Sequence, residues 1–320
     1  SLAAYRAVDR KPVSGTYRGH EVVTMSPPSS GGVHVLQMLN ILEHFPVAEF
    51  GAGGADSTHL LAEVARLAYA DRSEHLGDPD YYDVTVEWLT SKEYGKELAA
   101  TIDMRQARKS TDVAAGVAPH PESPDTTHFS VVDADGNIVA TTTTLNFSFG
   151  SAISVTGAGF LLNNEMDDFV SKPGVPNAYG LLGGEANAIA AGKRPLSSMT
   201  PTIVFADGRP WFATGSPGGS RIITSVLQMI VNVIDHGMNL AEAVNAPRMH
   251  HQWFPDVLQL ESGFSPDTVE ILRARGHEVE ESRSSMGSIQ AVGIRDGVFR
   301  GASDPRRPNA ASVAPAATTE

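Results

Sequence analysis

The stretch PDTTHFSVVDADGNIVATTTTLN, residues 124–146, decides the fold of this chain. Two runs rich in Val, Thr, Phe and Ile flank the turn sequence DADG at 133–136, a pattern that predicts a β-hairpin. The predicted strands are residues 127–132 and 138–144. The preceding tract, residues 107–125, is rich in Ala, Pro and polar residues and has no helical or strand period. We interpret that tract as an exposed linker, which places Thr126 where the linker ends and a strand begins.

Thr126 is the first candidate for chemistry, because a hydroxyl nucleophile needs a base. A threonine at a newly formed N-terminus has that base in its own α-amino group, whose ordinary pKa is about 7.7 to 8.0. Cleavage between Asp125 and Thr126 would create this arrangement. A pair of β-branched residues that merely starts a strand is the structural alternative, and the pair alone does not separate the two.

The rest of the chain alternates predicted helices with short strands. Helices are predicted at 33–45, 92–102 and 222–234, and the last of these is predicted to be buried. Two more are predicted: one is capped by Ser57 or Thr58 and stops before 77–79, and the other follows Ser265 and ends at Gly276. Further strands are predicted at 21–25, 202–205, 211–214, 289–294 and 298–300. Hairpins separated by buried helices predict layered αββα packing, and the Ala-, Ser- and Pro-rich tail after Pro305 is predicted to be disordered.

Composition narrows the class of protein. The 320 residues are 41% hydrophobic and 19% charged, which is typical of a soluble globular protein long enough for one or two domains. The net charge of −13 argues against a nucleic-acid or anionic-membrane partner, and the longest apolar run is too short to span a bilayer. The chain has no cysteine, which excludes disulfides, thiolate metal sites and a cysteine nucleophile.

A glycine-rich segment, TGSPGGSRI at 214–222, runs directly into the predicted buried helix. Backbone N–H groups of Gly218 and Gly219 at a helix N-terminus favour an oxyanion or anion site. The Lys-Ser/Thr ending of a phosphate loop is missing, and Thr214 stands where a nucleophile elbow needs its first glycine. A tight turn without a ligand is the alternative.

Two other segments are candidates for binding. NNEMDDF at 163–169 could bind a substrate ammonium or a cation, or be solvated, but it lacks the spacing of an EF-hand, so we expect no metal. The hydroxyls of RPLSSMT at 194–200 could hold a carboxylate. His250 and His251 are adjacent and lack a further His at ligand spacing, which favours hydrogen-bonded structural histidines.

Taken together, these segments resemble the gamma-glutamyltranspeptidase family of N-terminal nucleophile hydrolases. The resembling blocks are PPSSGG (27–32), TTHFSVVD (126–133), TLN (144–146), LLNNEMDDF (161–169), PGVPNAYG (173–180), RPLSSMTPTIV (194–204), TGSPGGSRI (214–222), NAPRMHHQW (245–253) and GASDPR (301–306). The resemblance implies an α+β, αββα sandwich and a precursor that cuts itself between Asp125 and Thr126. Residues 1–125 are then the end of a large subunit and residues 126–320 the small, catalytic subunit.

The activity that the resemblance implies is γ-glutamyl transfer or hydrolysis, without a cofactor. Thr126 Oγ attacks the γ-carbonyl of glutathione or another γ-glutamyl donor, and water, an amino acid or a peptide resolves the ester. Gly218 and Gly219 hold the oxyanion, and Thr144 orients Thr126. The positions that match the donor's α-amino site are Asn146, Glu165 and Asp168, and those that match its α-carboxylate site are Ser197 and Ser198. The resemblance also makes residues 173–184 a lid that carries Tyr179, which favours small γ-glutamyl compounds.

One departure from the family concerns the region before Ser1. Family precursors carry there a signal sequence, part of the sheets and an arginine that pairs with the donor carboxylate, so we expect weak activity or none unless that part is supplied. The family also implies a periplasmic or secreted location. Two alternatives stay open: a related acylase that acts on cephalosporin or glutaryl amides, and a non-catalytic fragment or uncut proenzyme. Position 165 is Glu where some members carry Gln, and both side chains accept from an ammonium.

Overall fold

The computed structural model of the chain describes residues 2–114, 126–170, 172, 175, 177, 180–282, 285–308 and 310–314. Within them, α-helices and β-strands both contribute to the core, so the fold is α+β. The strands are β1 (Val13–Tyr17), β2 (His20–Thr24), β3 (Thr126–Val132), β4 (Ile138–Thr144), β5 (Thr202–Ala206), β6 (Arg209–Gly215), β7 (Met249–His250), β8 (Leu258–Leu260), β9 (Val279–Glu281), β10 (Gln290–Arg295) and β11 (Val298–Ser303). The helices are α1 (Gly31–Leu42), α2 (Val47–Phe50), α3 (Ala55–His75), α4 (Val86–Leu89), α5 (Lys92–Ala99), α6 (Arg221–Ile234), α7 (Leu240–Asn245) and α8 (Pro266–Ala274).

Six strands form one antiparallel sheet in the order β1-β2-β5-β6-β10-β11. The neighbouring strands β5 and β6 form one hairpin and β10 and β11 another, and β6 pairs with β10 across a long sequence separation. Strands β7, β8 and β9 form a separate three-stranded sheet. Because β6 is central, the glycine-rich segment that follows it emerges at one end of the main sheet.

Strands β3 and β4 form the predicted hairpin, paired from Thr126 opposite Thr144 to Val132 opposite Ile138. The hairpin packs on the main sheet, where its closest neighbours are β6 and β10. His128 lies so close to Gly215 that a β-carbon there would be 2.3 Å from His128 Nδ1. The absence of a side chain at Gly215 therefore allows the hairpin to approach β6 at this level.

Helices α1 and α6 cover the main sheet and, together with α3, contribute a large share of the hydrophobic core. Every residue of α1 is buried, and α6 buries all but two of its side chains. Helix α1 contacts β1 and β2, and α6 contacts β6, so helices, main sheet and hairpin lie in layers. None of the described helices is long and apolar enough to cross a membrane.

The structure corrects three of the predictions. Ser57 and Thr58 do not cap α3: the helix begins at Ala55, and the Thr58 N–H donates to the Gly54 carbonyl as the first helical bond. Residues 107–114 are not an exposed linker, because Ser110 is fully buried and its carbonyl accepts from Trp253 Nε1 at 3.0 Å. The rest of that tract, residues 115–125, lies outside the described residues.

The third correction concerns the start of the tail, which was predicted to be disordered after Pro305; residues 309 and 315–320 lie outside the described residues. Arg306 is fixed instead, because its guanidinium pairs with Glu261 at 2.6 Å and with Asp304 at 3.1 Å. An arginine that meets two largely buried carboxylates loses its freedom, and the composition of the neighbouring residues does not reveal such partners.

Candidate active site

Thr126 lies at the open end of the β3–β4 hairpin. It is the first residue of β3 and pairs with Thr144, the last residue of β4. Thr126 Oγ1 donates to Thr144 Oγ1 at 3.3 Å, and Thr144 Oγ1 also accepts from the Asn146 N–H at 2.9 Å. The strand register therefore sets the position of the Thr126 hydroxyl, and only 9% of this residue is exposed.

The second component is the glycine loop, residues 216–219, between β6 and α6. Gly218 and Gly219 have φ values of 136° and 55°, a backbone region that favours glycine. Within the part of the chain that the structure describes, neither N–H donates a hydrogen bond to the protein, although Gly218 is buried. Both groups precede the positive end of α6, so the loop can stabilise negative charge on a ligand oxygen.

The third component is the acidic turn, a short 3-10 helix at Glu165–Asp168. It is tied to the hairpin end, because Asn146 Nδ2 donates to the Asn164 carbonyl at 3.1 Å and the Asn164 side chain accepts from the Phe147 N–H at 3.0 Å. These bonds hold the carboxyl groups of the turn beside Asn146.

The two carboxyl groups nearest the pocket do not ionise independently. Burial and then the neighbouring Glu165 carboxyl raise the pKa of Asp168 to about 8, while Arg72 works in the opposite direction. Burial also raises the pKa of Glu165. Two partly buried carboxyl groups that repel each other are therefore suited to bind a cation, which would stabilise both charged forms.

The fourth component is the serine loop, residues 194–200. Its backbone is fixed against the segment that precedes α1, because the Ser30 N–H donates to the Ser197 carbonyl at 2.9 Å and Ser29 Oγ donates to the Met199 carbonyl at 2.7 Å. The Ser197 and Ser198 side chains thereby face the same pocket as Thr126.

Two residues that the sequence analysis missed complete the arrangement. Arg72 of α3 is buried and donates to Ser30 Oγ at 2.9 Å and to Ser198 Oγ at 3.2 Å. Asn187 donates to the Asp168 carbonyl at 2.7 Å and accepts from the Leu196 N–H at 3.0 Å, so it joins the acidic turn to the serine loop. Arg72 lies in the polar end of α3, ADRSEH at 70–75, which is typical of a solvated helix end, so neither Arg72 nor Asn187 has a local sequence signal.

One small pocket brings most of the predicted site residues together. Its lining includes Thr126, Thr144, Asn146, Asp168, Ser197, Ser198 and Gly219, together with Arg72. Glu165 and Gly218 lie next to residues of this lining but are not part of it. Asp125 and Tyr179 fall outside the described residues.

His250 and His251 are buried and hydrogen-bonded within the protein, as predicted. His250 Nδ1 and Thr224 Oγ1 are 2.7 Å apart, and His251 Nδ1 accepts from the Trp253 N–H at 3.1 Å. The residues that could hold a metal ion lie elsewhere: His59, Glu63 and His277 have ligand atoms within 4.8 Å of one another. However, His59 Nδ1 and His277 Nε2 share a hydrogen bond of 2.7 Å, and Glu63 pairs with Arg66.

A strand-initial threonine beside unoccupied backbone N–H donors, on stacked sheets with a helical layer, defines the class of the N-terminal nucleophile hydrolases. The family profile described as gamma-glutamyltranspeptidase matches residues 1–314. The chain belongs to the gamma-glutamyltranspeptidase family.

Individual relatives agree with this assignment. The glutathione hydrolase proenzyme of Escherichia coli (strain K12) is 58% identical over 307 residues, which are 95% of this chain and 53% of that protein. A gamma-glutamyltranspeptidase chain from Helicobacter pylori superposes with a TM-score of 0.55 at 55% identity and covers 57% of this chain and 100% of that one. Cephalosporin acylase from Bacillus halodurans superposes with a TM-score of 0.80 at 28% identity, covering 95% of this chain and 53% of that one. The chain spans about half the length of the curated relatives it matches.

Proposed function

We propose that the protein containing this chain hydrolyses or transfers the γ-glutamyl group of glutathione and similar donors. The observation that carries the proposal is the pocket that joins the Thr126 hydroxyl, the glycine loop, the acidic turn and the serine loop. These four components supply a nucleophile, oxyanion donors, an ammonium site and a carboxylate site. A γ-glutamyl group needs all four, because it presents a carbonyl at one end and an α-amino acid at the other.

The reaction begins with cleavage of the 125–126 peptide bond, which converts the Thr126 amide into an α-amino group. That amine takes the proton of Oγ as the oxygen attacks the γ-carbonyl carbon. The resulting oxyanion accepts hydrogen bonds from the Gly218 and Gly219 N–H groups, and Thr144 Oγ1 keeps the nucleophile oriented. The leaving amine departs with the proton held by the α-amino group, and a γ-glutamyl ester on Thr126 remains.

The second half of the reaction reverses these roles. Water or the amine of an acceptor attacks the ester carbonyl, gives up its proton to the α-amino group and restores the Thr126 hydroxyl as the ester breaks. Water releases glutamate, whereas an amino acid or peptide yields a new γ-glutamyl amide. Every proton is carried by a group of the protein or of the substrates, so the steps balance without a cofactor.

Donor recognition uses the two polar ends of the pocket. Asp168, Glu165 and the Asn146 side chain accept from the α-ammonium, and binding of that cation lowers the pKa of both carboxyl groups. The Ser197 and Ser198 hydroxyls donate to the α-carboxylate, and Arg72, which is bonded to Ser198, favours negative charge there. This division of charge supports a zwitterionic γ-glutamyl donor over a simple acyl group.

Self-cleavage is the first step to test, by intact-mass spectrometry of the purified chain and of the natural gene product that contains it. We expect two pieces that meet between residues 125 and 126, and a single uncut mass for Thr126→Ala. Thr127→Ala is the matched control, because Thr127 is the exposed neighbour on the same strand and its variant should cut normally. Uncut protein in every case, or cleavage of Thr126→Ala, would contradict the proposal.

Donor choice separates this function from that of an acylase, the activity named for the structural relative from Bacillus halodurans. With the natural gene product that contains this chain, we expect turnover of a γ-glutamyl anilide and much slower turnover of a glutaryl anilide, which is identical except for the missing α-amino group. Equal rates for the two anilides would favour the acylase. Turnover of neither by self-cleaved protein would identify a non-catalytic fragment.

A further inference from the structure

The glycine loop rests on a second buried segment, residues 286–289, which we call the backing segment. Gly287 is the point of contact: a β-carbon on it would lie 2.4 Å from Ser216 Oγ and 2.8 Å from the Pro217 carbonyl oxygen. From the other side, a β-carbon on Gly218 would lie 3.2 Å from Gly287 Cα. The two backbones therefore approach each other directly at Gly218 and Gly287.

A hydroxyl bridges the same two segments. Ser216 Oγ accepts from the Ser288 N–H at 2.9 Å and donates to the Pro217 carbonyl at 2.7 Å. Ser216 is fully buried, so these bonds are shielded from water. A shift of the backing segment would therefore be transmitted through Ser216 to the peptide units that precede Gly218.

The backing segment is itself fixed at both ends by buried charged groups. At one end, Glu261 accepts from the Met286 N–H at 2.8 Å and Arg248 Nη1 donates to the Met286 carbonyl at 2.9 Å. At the other end, Asp304 Oδ2 accepts from the Ile289 N–H at 2.8 Å.

These charged groups are linked into one network. Arg248 pairs with Asp304 at 2.7 Å, with the Arg248 side chain 2% exposed and that of Asp304 fully buried. Arg306 pairs with both carboxylates, Glu261 and Asp304. A buried network whose members are paired holds its backbone partners in a single arrangement.

We infer that the backing segment positions the oxyanion donors, with Gly287 and Ser216 as positioning residues and the Arg248–Asp304–Glu261–Arg306 network as the anchor. The inference rests on the proposed function, because it assigns a role in the same reaction. Oxyanion donors act over a range of a few tenths of an ångström, so a displaced glycine loop slows the chemical step without removing the groups that bind the donor.

The decisive test compares Gly287→Ala with Gly297→Ala in the self-cleaving protein. Both glycines have positive φ, 80° and 73°, so alanine causes similar backbone strain, but nothing lies within 4 Å of a β-carbon at Gly297. With a γ-glutamyl anilide we expect Gly287→Ala to lower kcat about 100-fold with little change in KM, the range typical for loss of an oxyanion donor. We expect Gly297→Ala to stay within about twofold of the parent, because its added methyl group meets no atom.

Ser216→Ala tests the positioning role if Gly287→Ala does not fold. It removes the bridge without adding an atom, and we expect kcat to fall about tenfold at unchanged KM, a loss of about one hydrogen bond. Ser73→Ala is its control, because Ser73 is also buried and its hydroxyl also donates to a backbone carbonyl, that of Ala70 at 2.7 Å. Ser73→Ala removes one buried hydroxyl bond and should preserve kcat.

The outcomes distinguish failure of the proposed function from failure of the positioning role. If the natural gene product that contains this chain does not turn over the γ-glutamyl anilide, the proposed function fails. If the parent is active but Gly287→Ala or a folded Ser216→Ala matches its control in kcat, the positioning role is wrong. A fall in kcat confined to the two variants of the contact, at constant KM, supports it.

Discussion

Two buried arginines show how differently this molecule uses the same side chain. Arg248 pairs with Asp304 at 2.7 Å, whereas Arg72 contacts only hydroxyls, those of Ser30 and Ser198, among the described residues. The carboxyl groups near these two arginines, Asp304 and Asp168, also differ in pKa. Burial opposes the charge of Asp304, but Arg248 and the Arg306 N–H overcome it and lower its pKa, while burial and Glu165 raise the pKa of Asp168.

The difference separates structure from function. Where each charge has a partner, the ions fix a backbone and have no affinity left for a ligand. Where a buried arginine and a partly buried carboxyl group lie near each other without an ion pair, the site keeps its capacity for a molecule that brings both opposite charges. An α-amino acid group is such a molecule, so each variant below either breaks or sharpens this comparison.

The largest expected effect comes from breaking the paired cluster. Asp304→Ala leaves Arg248 buried without its main partner, and we expect a loss of about 3 to 5 kcal/mol in the free energy of unfolding. Urea denaturation followed by circular dichroism measures it. Asp56→Ala is the control. Asp56 pairs with Arg275, but its side chain is 48% exposed, and exposed ion pairs contribute little to stability. Equal losses in the two variants would show that the buried network is not a structural anchor.

Most of the elements that carry the site could be predicted from the sequence. The β3–β4 hairpin follows from a turn flanked by β-rich runs, and α6 follows from a mostly apolar stretch that few polar residues interrupt. Both lie within one or two residues of the prediction. These signals are local, because strand and helix periods depend on near neighbours along the chain.

The parts that escaped prediction depend on contacts far apart in sequence. The buried position of Ser110 requires Arg66 and Trp253, and the order at Arg306 requires Glu261. The pairing of Arg72 with Ser198 joins residues of two unrelated segments. Burial of a polar residue is decided by such distant partners, which local composition does not encode.

A second prediction removes the charge from the ammonium site. Asp168→Asn should raise the KM for a γ-glutamyl donor about 100-fold, because a charged hydrogen bond to the ammonium is replaced by a neutral one. In the parent, a pKa of about 8 leaves Asp168 protonated at pH 6. Its carboxylate forms as the pH rises, so KM should fall between pH 6 and pH 9, and Asp168→Asn should flatten that slope. Steady-state kinetics across this range provides the test, and an unchanged slope in the variant would exclude Asp168 as the titrating group.

A third prediction concerns the unpaired arginine. Arg72→Met keeps the length of the side chain but removes the cation behind Ser198, and we expect the donor KM to rise about tenfold. Because Arg72 lowers the pKa of Asp168, the fall of KM with pH should also move to higher pH. Arg72→Lys should restore part of the affinity and the original pH range. A loss of stability without either kinetic change would assign Arg72 to packing alone.

The smallest effect is expected at Glu165, the neighbour that raises the pKa of Asp168. Asp168 is part of the pocket lining and Glu165 is not, and Glu165→Gln keeps an acceptor, so the donor KM at pH 9, where Asp168 is ionised with or without Glu165, should change by about threefold or less. The increase in the donor KM from pH 9 to pH 7 should be smaller in this variant than in the parent. The reason is that removing a like charge lowers the pKa of Asp168 and leaves more carboxylate at neutral pH. Parallel profiles of KM against pH for parent and variant would show that the two carboxyl groups titrate separately. The contrast between this carboxyl pair and the ion-paired Asp304 would then rest on geometry alone.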